Sequence, residues 1–200
     1  NFALYNVHFP LNHEGLAAAR RRIAFEELLL YQVALSLLRS DARAGVKLSF
    51  ADEDVEDFWK LLPFPPTNAQ KRALYEMARD LRMDAPMARL LQGDVGSGKT
   101  LVALLSMLLA VDNGFQACMM APTEILARQH YATLTRLLDG LPVRVAILTG
   151  ASKARERRAA LEGVASGEVQ LLVGTHALIE DRVRFANLGL VVIDEQHRFG

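Results

Sequence analysis

The most specific chemical pattern in the chain lies at residues 93–100, whose sequence is GDVGSGKT. It matches the phosphate-binding pattern G-x-x-x-x-G-K-[ST] at every fixed position. Glycines let backbone N–H groups turn inward around phosphate oxygens, and a helix that begins here adds unpaired N–H donors. Lys99 can place its charge on the β- and γ-phosphates, and Thr100 can offer a hydroxyl to Mg²⁺. The predicted nucleotide site consists of Gly93, Asp94, Val95, Gly96, Ser97, Gly98, Lys99 and Thr100.

Other interpretations of this loop stay open at this point. A glycine-rich turn with a surface lysine is the simplest, and chance would produce the match in roughly one in a hundred chains of this length. The loop by itself also suits a small-molecule kinase or a transport ATPase. A kinase needs an acceptor pocket, and an ABC-type transport ATPase needs a signature loop that is not found in the sequence. A nucleotide-sensing module without hydrolysis is a further alternative, against which the intact catalytic residue types argue.

Two carboxylates, Asp194 and Glu195, follow an apolar run that ends at Ile193. In open α/β sheets, ligands bind at the carboxyl ends of the strands. We therefore expect Asp194 to hold Mg²⁺, directly or through water, and Glu195 to orient or deprotonate the attacking water. A solvated strand end would explain the pair if it stood alone. Because the phosphate loop lies upstream in the same chain, the pair favours nucleotide hydrolysis.

Helices and apolar strands alternate from residue 67 onward, and they must position these side chains. Near-continuous apolar strands between helices predict a parallel sheet with helices on both faces, which is an α/β domain. The predicted helices are residues 67–81, 98–111, 124–138 and 152–165, and the predicted strands are residues 88–92, 115–121, 143–148, 169–173 and 188–194.

The residues before this domain have a different pattern. Residues 15–39 lack proline and carry Ile23, Leu30, Val33 and Leu37 on one stripe, which predicts a long amphipathic helix. Residues 49–58 are acidic, and prolines at 63, 65 and 66 disfavour helix in the residues before them. We therefore predict a helical linker over residues 1–62 and a nucleotide-binding lobe over residues 63–200.

Composition excludes several classes of protein. The chain has 200 residues, is 51% hydrophobic and has a formal net charge of +0, so no overall charge points to nucleic acid or to an anionic membrane. A single cysteine, Cys118, excludes a disulfide scaffold and a multi-cysteine zinc site within these residues. The longest apolar run, residues 101–111, is too short to span a bilayer. With no leader pattern, we expect a cytoplasmic protein of which this chain is a piece.

Five motifs together resemble superfamily 2 helicases in order and spacing. They are GDVGSGKT (93–100), APTEILARQH (121–130), LTG (148–150), GTHAL (174–178) and DEQHRFG (194–200). Three of these segments are similar to the RecG family of branch-migrating DNA helicases. They are APTEILA with the QH that follows it, GTHALI, and DEQHRFG. FPPTNAQ (64–70) resembles the Q motif of that family, and LYNVHFP (4–10) with RRRIAFEELL (20–29) resembles its segment between wedge domain and motor. The transcription-repair coupling translocase is a second resemblance, and its motifs usually differ at Glu124 and Gln196.

The resemblance to the RecG family implies roles for particular residues. Gln70 would hydrogen-bond to the adenine edge, near Phe64, because an amide can both donate and accept. Without the family, Gln70 is a surface polar residue on a helix. Gln196 and His197 would couple the γ-phosphate to motor movement. The residues implied to contact the nucleic-acid backbone are Pro122, Thr123, Thr149, Gly150, Gly174, Thr175 and His176.

The same resemblance implies a RecA-like lobe that uses ATP and Mg²⁺ to act on forks and Holliday junctions in DNA repair and recombination. It also implies a second motor lobe and a wedge domain that this chain lacks. We therefore expect the isolated chain to bind nucleotide weakly, to hydrolyse it barely and not to unwind DNA. The sequence leaves open the roles of two basic clusters, which are Arg20, Arg21 and Arg22, and Lys153, Arg155, Arg157 and Arg158.

Overall fold

The computed structural model describes residues 2–39, 45–60, 62, 64–179 and 183–198. The chain divides into two compact units, Asn1–Ala44 and Gly45–Gly200. The boundary predicted between residues 62 and 63 rests on the change in composition and on the prolines, and it stays a prediction; Pro63 lies outside the described residues.

The first unit consists of two helices, α1 (Phe2–His8) and α2 (His13–Arg39). The long helix predicted over residues 15–39 is thus present, and the Asn12 side chain accepts a hydrogen bond from Gly15 N near its start. Asn6 and Ala19 are buried between the helices, whereas Leu30 and Val33 of the predicted apolar stripe are exposed. None of the described helices is both long and apolar enough to cross a membrane.

The second unit is built on a parallel four-stranded sheet with the order β2-β3-β1-β4. Its strands are β1 (Gln116–Met120), β2 (Val145–Leu148), β3 (Leu171–Gly174) and β4 (Leu188–Ile193). Central β1 pairs with β3 through Ala117 and Leu171 and with β4 through Ala117 and Leu190. Every residue of β1 is buried, as the continuous apolar runs predict for a sheet covered on both faces.

Helices connect and cover these strands. They are α3 (Asp52–Lys60), α4 (Asn68–Leu81), α5 (Lys99–Asp112), α6 (Glu124–Leu137) and α7 (Ala154–Ser166), with short 3₁₀ helices at His176–Ile179 and Gln196–Arg198. All ten residues from Leu101 to Ala110 in α5 are buried, so α5 forms the centre of the core. Because α5 leads into the start of β1, its first residue lies at the opposite, carboxyl edge of the sheet.

The strand predicted over residues 88–92 is wrong, because the structure has no regular strand there. Only Met87 and Leu91 of this segment pack against the core, whereas Leu90 is 75% exposed. Arg89 turns instead toward α4, where it pairs with Glu76 at 2.6 Å and Asp80 at 2.7 Å. The segment is therefore held by side chains of α4, and four of the five predicted strands are found among the described residues.

Candidate active site

The phosphate-binding loop adopts a conformation that only glycine accommodates without strain at two positions. Gly96 and Gly98 both have φ of +81°, in the left-handed region. A Cβ atom on Gly98 would lie 2.4 Å from Nε2 of Gln70, whereas a Cβ atom on Gly96 would meet nothing within 4 Å. Gly98 is the N-cap of α5, and its carbonyl accepts from Leu101 N at 3.0 Å. The loop thus leads directly into a helix N-terminus, as phosphate binding requires.

Lys99, the first residue of α5, folds back over this loop. Its Nζ donates to the carbonyl oxygens of Gly93 at 2.7 Å and Asp94 at 2.8 Å. An ammonium group has three N–H donors, so one remains for a phosphate oxygen when the other two hold the loop. Thr100 follows in the first helical turn, half-buried. A nucleotide bound at the loop would meet the lysine charge and the threonine hydroxyl from the same helix end.

Gln70 lies against the phosphate loop. Its Oε1 accepts from Thr67 N at 2.9 Å and its backbone N donates to the Thr67 hydroxyl, which forms a capping box at the start of α4. Its Nε2 donates to the Ser97 carbonyl at 2.9 Å. The amide therefore uses one hydrogen bond to cap α4 and one to join α4 to the loop, and two of its four hydrogen-bonding sites remain for a ligand. The predicted adenine contact stays a prediction, to which the structure adds a supporting role for the loop.

The acidic pair lies where β4 ends. The backbone N of Asp194 donates to Met120 O at 2.8 Å, which extends the pairing of β4 with β1 by one residue. Glu195 has φ of +52°, so the chain turns sharply there, and its carbonyl accepts from Arg198 N at 2.9 Å. The turn follows Asp194 directly, and the roles predicted for the two carboxylates stay predictions.

A residue without a role in the sequence prediction contacts Asp194. Nε2 of His130 in α6 lies 2.8 Å from Oδ2 of Asp194, and the two side chains are 12% and 30% exposed. The imidazole lies on the inner face of α6, between Ala127 and Leu134, which are both 0% exposed. Two sequence signals mark His130: it ends the APTEILARQH motif, and it lies on the apolar stripe of a predicted helix, at i+3 from Ala127 and i−4 from Leu134.

The residues predicted to contact nucleic acid lie at the ends of strands of the parallel sheet: Gly174 is the last residue of β3, and the others follow a strand. Parallel strands end at one edge, so these residues share the carboxyl edge with Asp194. Their surroundings differ: Thr149 is fully buried, and Gly150 is exposed with open space around it. Thr123 is the N-cap of α6 and accepts from Leu126 N. Gly174 is buried and lies so close to the Leu148 carbonyl that a Cβ atom would be 2.2 Å from it.

The other predicted residues are placed as follows. Gln196 is exposed in the 3₁₀ helix after the acidic pair, and the side chain of His197 lies outside the described residues. The two basic clusters are largely solvated, and within them Arg22 pairs with Glu26 at 2.6 Å and Arg158 with Glu162 at 2.9 Å. Cys118 takes no part in the site, because burial raises the pKa of its thiol to about 12.

The residues present fit a nucleotide with Mg²⁺. The loop turns through two left-handed glycines into the N-terminus of α5, where unpaired backbone N–H groups suit phosphate oxygens. Mg²⁺ is usually held by one or two carboxylates, a hydroxyl and the phosphates of the substrate. Thr100 in α5 and Asp194 after β4 are of the residue types that could hold Mg²⁺, and this assignment stays a prediction.

Comparison with known proteins now decides the family. Residues 67–200 match the family model described as DEAD/DEAH box helicase. The chain belongs to the DEAD/DEAH box helicase family. Within it, the chain is 49% identical to the ATP-dependent DNA helicase RecG of Streptococcus pneumoniae serotype 4, over 99% of the chain and 30% of that protein. It is 48% identical to RecG of Bacillus subtilis, again over 99% of the chain and 30% of the relative.

A solved structure extends this likeness to three dimensions. A structure of RecG bound to a three-way DNA junction matches with a TM-score of 0.89 and 45% identity, covering 99% of this chain and 27% of that one. A hypothetical ATP-dependent RNA helicase from Sulfolobus tokodaii, at 18% identity and a TM-score of 0.56, shares the fold. The predicted resemblance to the RecG family and the predicted RecA-like fold are thus confirmed. The chain spans less than a third of the length of these RecG relatives.

Proposed function

We propose that the chain is the ATP-binding lobe of a RecG-type ATP-dependent DNA helicase. One observation carries the proposal: Lys99 at the start of α5 and Asp194 at the end of β4 lie at the same carboxyl edge of the sheet. This edge is where an α/β sheet binds ligands. The loop glycines and the helix N-terminus at Lys99 suit a chain of phosphates, which adenine nucleotides provide.

In this site, each protein group has a distinct task. Lys99 neutralises charge on the β- and γ-phosphates while it remains fixed to the loop carbonyls. Thr100 and Asp194 hold Mg²⁺, which when bound supplies further positive charge to the phosphates. We expect Glu195, the next residue along the chain, to orient and deprotonate the attacking water. Gln70 binds adenine through the hydrogen-bonding sites of its amide that the protein leaves unused.

The substrate of the whole protein is proposed from its relatives. The RecG structure that the chain resembles is bound to a three-way DNA junction, so we expect branched DNA such as forks and Holliday junctions. Such a task in DNA repair and recombination would place the protein in the cytoplasm. ATP would lie between this lobe and a second lobe that supplies a cation to the transition state, a contribution of about 10³–10⁵ in rate. The chain alone is therefore expected to bind ATP and to hydrolyse it barely.

The ATPase proposal is tested in a full-length RecG-type protein that carries this chain as its first lobe. We expect ATP hydrolysis that branched DNA stimulates and that Lys99→Ala abolishes. Lys47→Ala serves as the matched control, because Lys47 is an exposed lysine outside the loop. Its Nζ lies 3.5 Å from Oδ2 of Asp84. ATP turnover that Lys99→Ala leaves intact would refute the proposed site. Strong turnover by the isolated chain would refute the need for a second lobe.

The proposed contact of DNA with the carboxyl edge is tested by adding a negative charge in the same protein. Gly150→Asp adds a carboxylate to an exposed position where nothing lies within 4 Å, so it should weaken DNA binding without a steric effect. Ala165→Asp is the control: Ala165 is exposed near the end of α7, and α7 leads into the start of β3 at the opposite edge. DNA affinity that falls equally in both variants, or in neither, would contradict the placement of DNA at the carboxyl edge.

A further inference from the structure

The contact between His130 and Asp194 joins two elements that are far apart in the chain. His130 belongs to α6, which follows β1, and Asp194 follows β4, the neighbour of β1 in the sheet. Their side chains meet at 2.8 Å, Nε2 to Oδ2. The mechanism above assigns Asp194 to Mg²⁺ and gives His130 no task.

The location of His130 fixes the direction of its imidazole. Ala127 and Leu134 flank it on the inner face of α6, and both are fully buried. The start of the same helix is held by the Thr123 cap. With a side chain only 12% exposed, His130 has little freedom to move away from Asp194. A polar group at such a site needs a hydrogen-bonding partner, and the carboxylate provides it.

The contact also restricts the carboxylate. The backbone of Asp194 is fixed by its hydrogen bond to Met120 O, yet its side chain is 30% exposed and could otherwise rotate. A donor on Oδ2 restricts that rotation and leaves Oδ1 as the oxygen available to Mg²⁺ or its water ligands. Hydrogen bonds of this kind to metal-ligating groups commonly change metal affinity by about 10–100-fold.

We propose that His130 is a positioning residue for Mg²⁺: it donates its Nε2–H to Oδ2 of Asp194 and thereby orients that carboxylate toward the metal bound with the nucleotide. The proposal rests on the proposed function, since it needs Mg²⁺ and a nucleotide at the phosphate loop. It assigns a role in metal binding to α6, which contributes no residue to the phosphate loop or the acidic pair.

The first experiment measures the affinity of a fluorescent ADP analogue for the chain, in EDTA and across a Mg²⁺ series. His130→Leu should reduce the gain in affinity that Mg²⁺ provides by about 10–100-fold and leave the affinity in EDTA unchanged. His130→Gln should recover much of that gain, because its terminal amide can also donate to Asp194. Gln129→Leu, at the exposed neighbouring position of α6, should behave like the wild type.

Two results in this experiment would overturn the proposal. One is a Mg²⁺-dependent gain that His130→Leu does not change. The other is an equal loss in EDTA and in Mg²⁺, which would indicate a general structural role. Lys99→Ala, measured alongside, tests the proposed function separately: if it leaves ADP affinity unchanged, the nucleotide site is refuted whatever His130 does.

The second experiment has its decisive measurement on the wild-type protein and does not depend on nucleotide binding; one variant confirms which resonance belongs to the contact. Nitrogen-detected NMR of the imidazole distinguishes its two tautomers. We expect His130 to carry its proton on Nε2, and Asp194→Asn to shift that resonance. A proton on Nδ1 alone would overturn the proposal, because Nε2 would then have no hydrogen to donate to Asp194.

Discussion

The substitution Gly98→Ala tests the loop geometry with a magnitude that the structure supplies. At φ of +81°, an alanine is strained by about 1–2 kcal/mol relative to glycine. Its Cβ atom would also lie 2.4 Å from Nε2 of Gln70, the flexible end of that side chain. The amide would move away and lose its hydrogen bond to Ser97 O, a further 0.5–1.5 kcal/mol, approximately. The expected decrease in the free energy of unfolding is about 1.5–3.5 kcal/mol.

Gly96→Ala is the matched control, because Gly96 has the same φ and nothing within 4 Å of a Cβ atom. It should lose only the backbone contribution of about 1–2 kcal/mol. Urea unfolding followed by the fluorescence of Trp59, the single tryptophan, measures both variants. The free energies of unfolding of the two variants should differ by about 1 kcal/mol, which corresponds to a difference of roughly 2–4 °C in Tm. Equal losses in the two variants, or a difference that persists when Gln70 is replaced by alanine, would refute the reasoning.

Two further predictions follow from shifted pKa values. Because burial raises the pKa of Cys118 to about 12, its thiol should stay protonated and resist a disulfide reagent at pH 8 until urea unfolds the chain; rapid reaction of the folded chain would contradict this. The Tyr75 hydroxyl donates a hydrogen bond to Glu56, and this bond is the main reason that the pKa of Tyr75 is raised to about 12. An alkaline absorbance titration should therefore show a tyrosine that ionises late, and Glu56→Gln should lower its pKa; a titration that this variant leaves unchanged would contradict the contact.

Much of the fold follows from local patterns. The four strands present were predictable because each is a short apolar run bounded by helices, and a buried parallel strand has that composition. The phosphate loop was predictable because its chemistry restricts residue types at fixed spacing. The strand predicted over residues 88–92 is wrong because an apolar run does not by itself specify pairing with a neighbouring strand. There, Met87 and Leu91 contact the core while Arg89 pairs with α4, and the backbone forms no regular strand.

Contacts between residues that are far apart in the chain could not be predicted from the sequence. His130 and Asp194 are 64 residues apart, and the helix carrying one and the strand carrying the other meet only through the order of the sheet. The contact of Gln70 with Ser97 likewise depends on how α4 packs beside the loop. A motif gives the type of a residue and its spacing from near neighbours, but it does not give the partner that tertiary packing brings to it.

The central claim is that residues 93–100 bind the phosphates of a nucleotide through Lys99. Titration of the chain with fluorescent ADP in Mg²⁺ tests it most directly, with Lys99→Ala and Lys47→Ala measured beside the wild type. Removing a charged hydrogen-bond donor costs about 1.5–3 kcal/mol, so Lys99→Ala should bind at least about tenfold more weakly, while Lys47→Ala binds as the wild type does. Equal affinity of the wild type and Lys99→Ala for ADP would contradict the account.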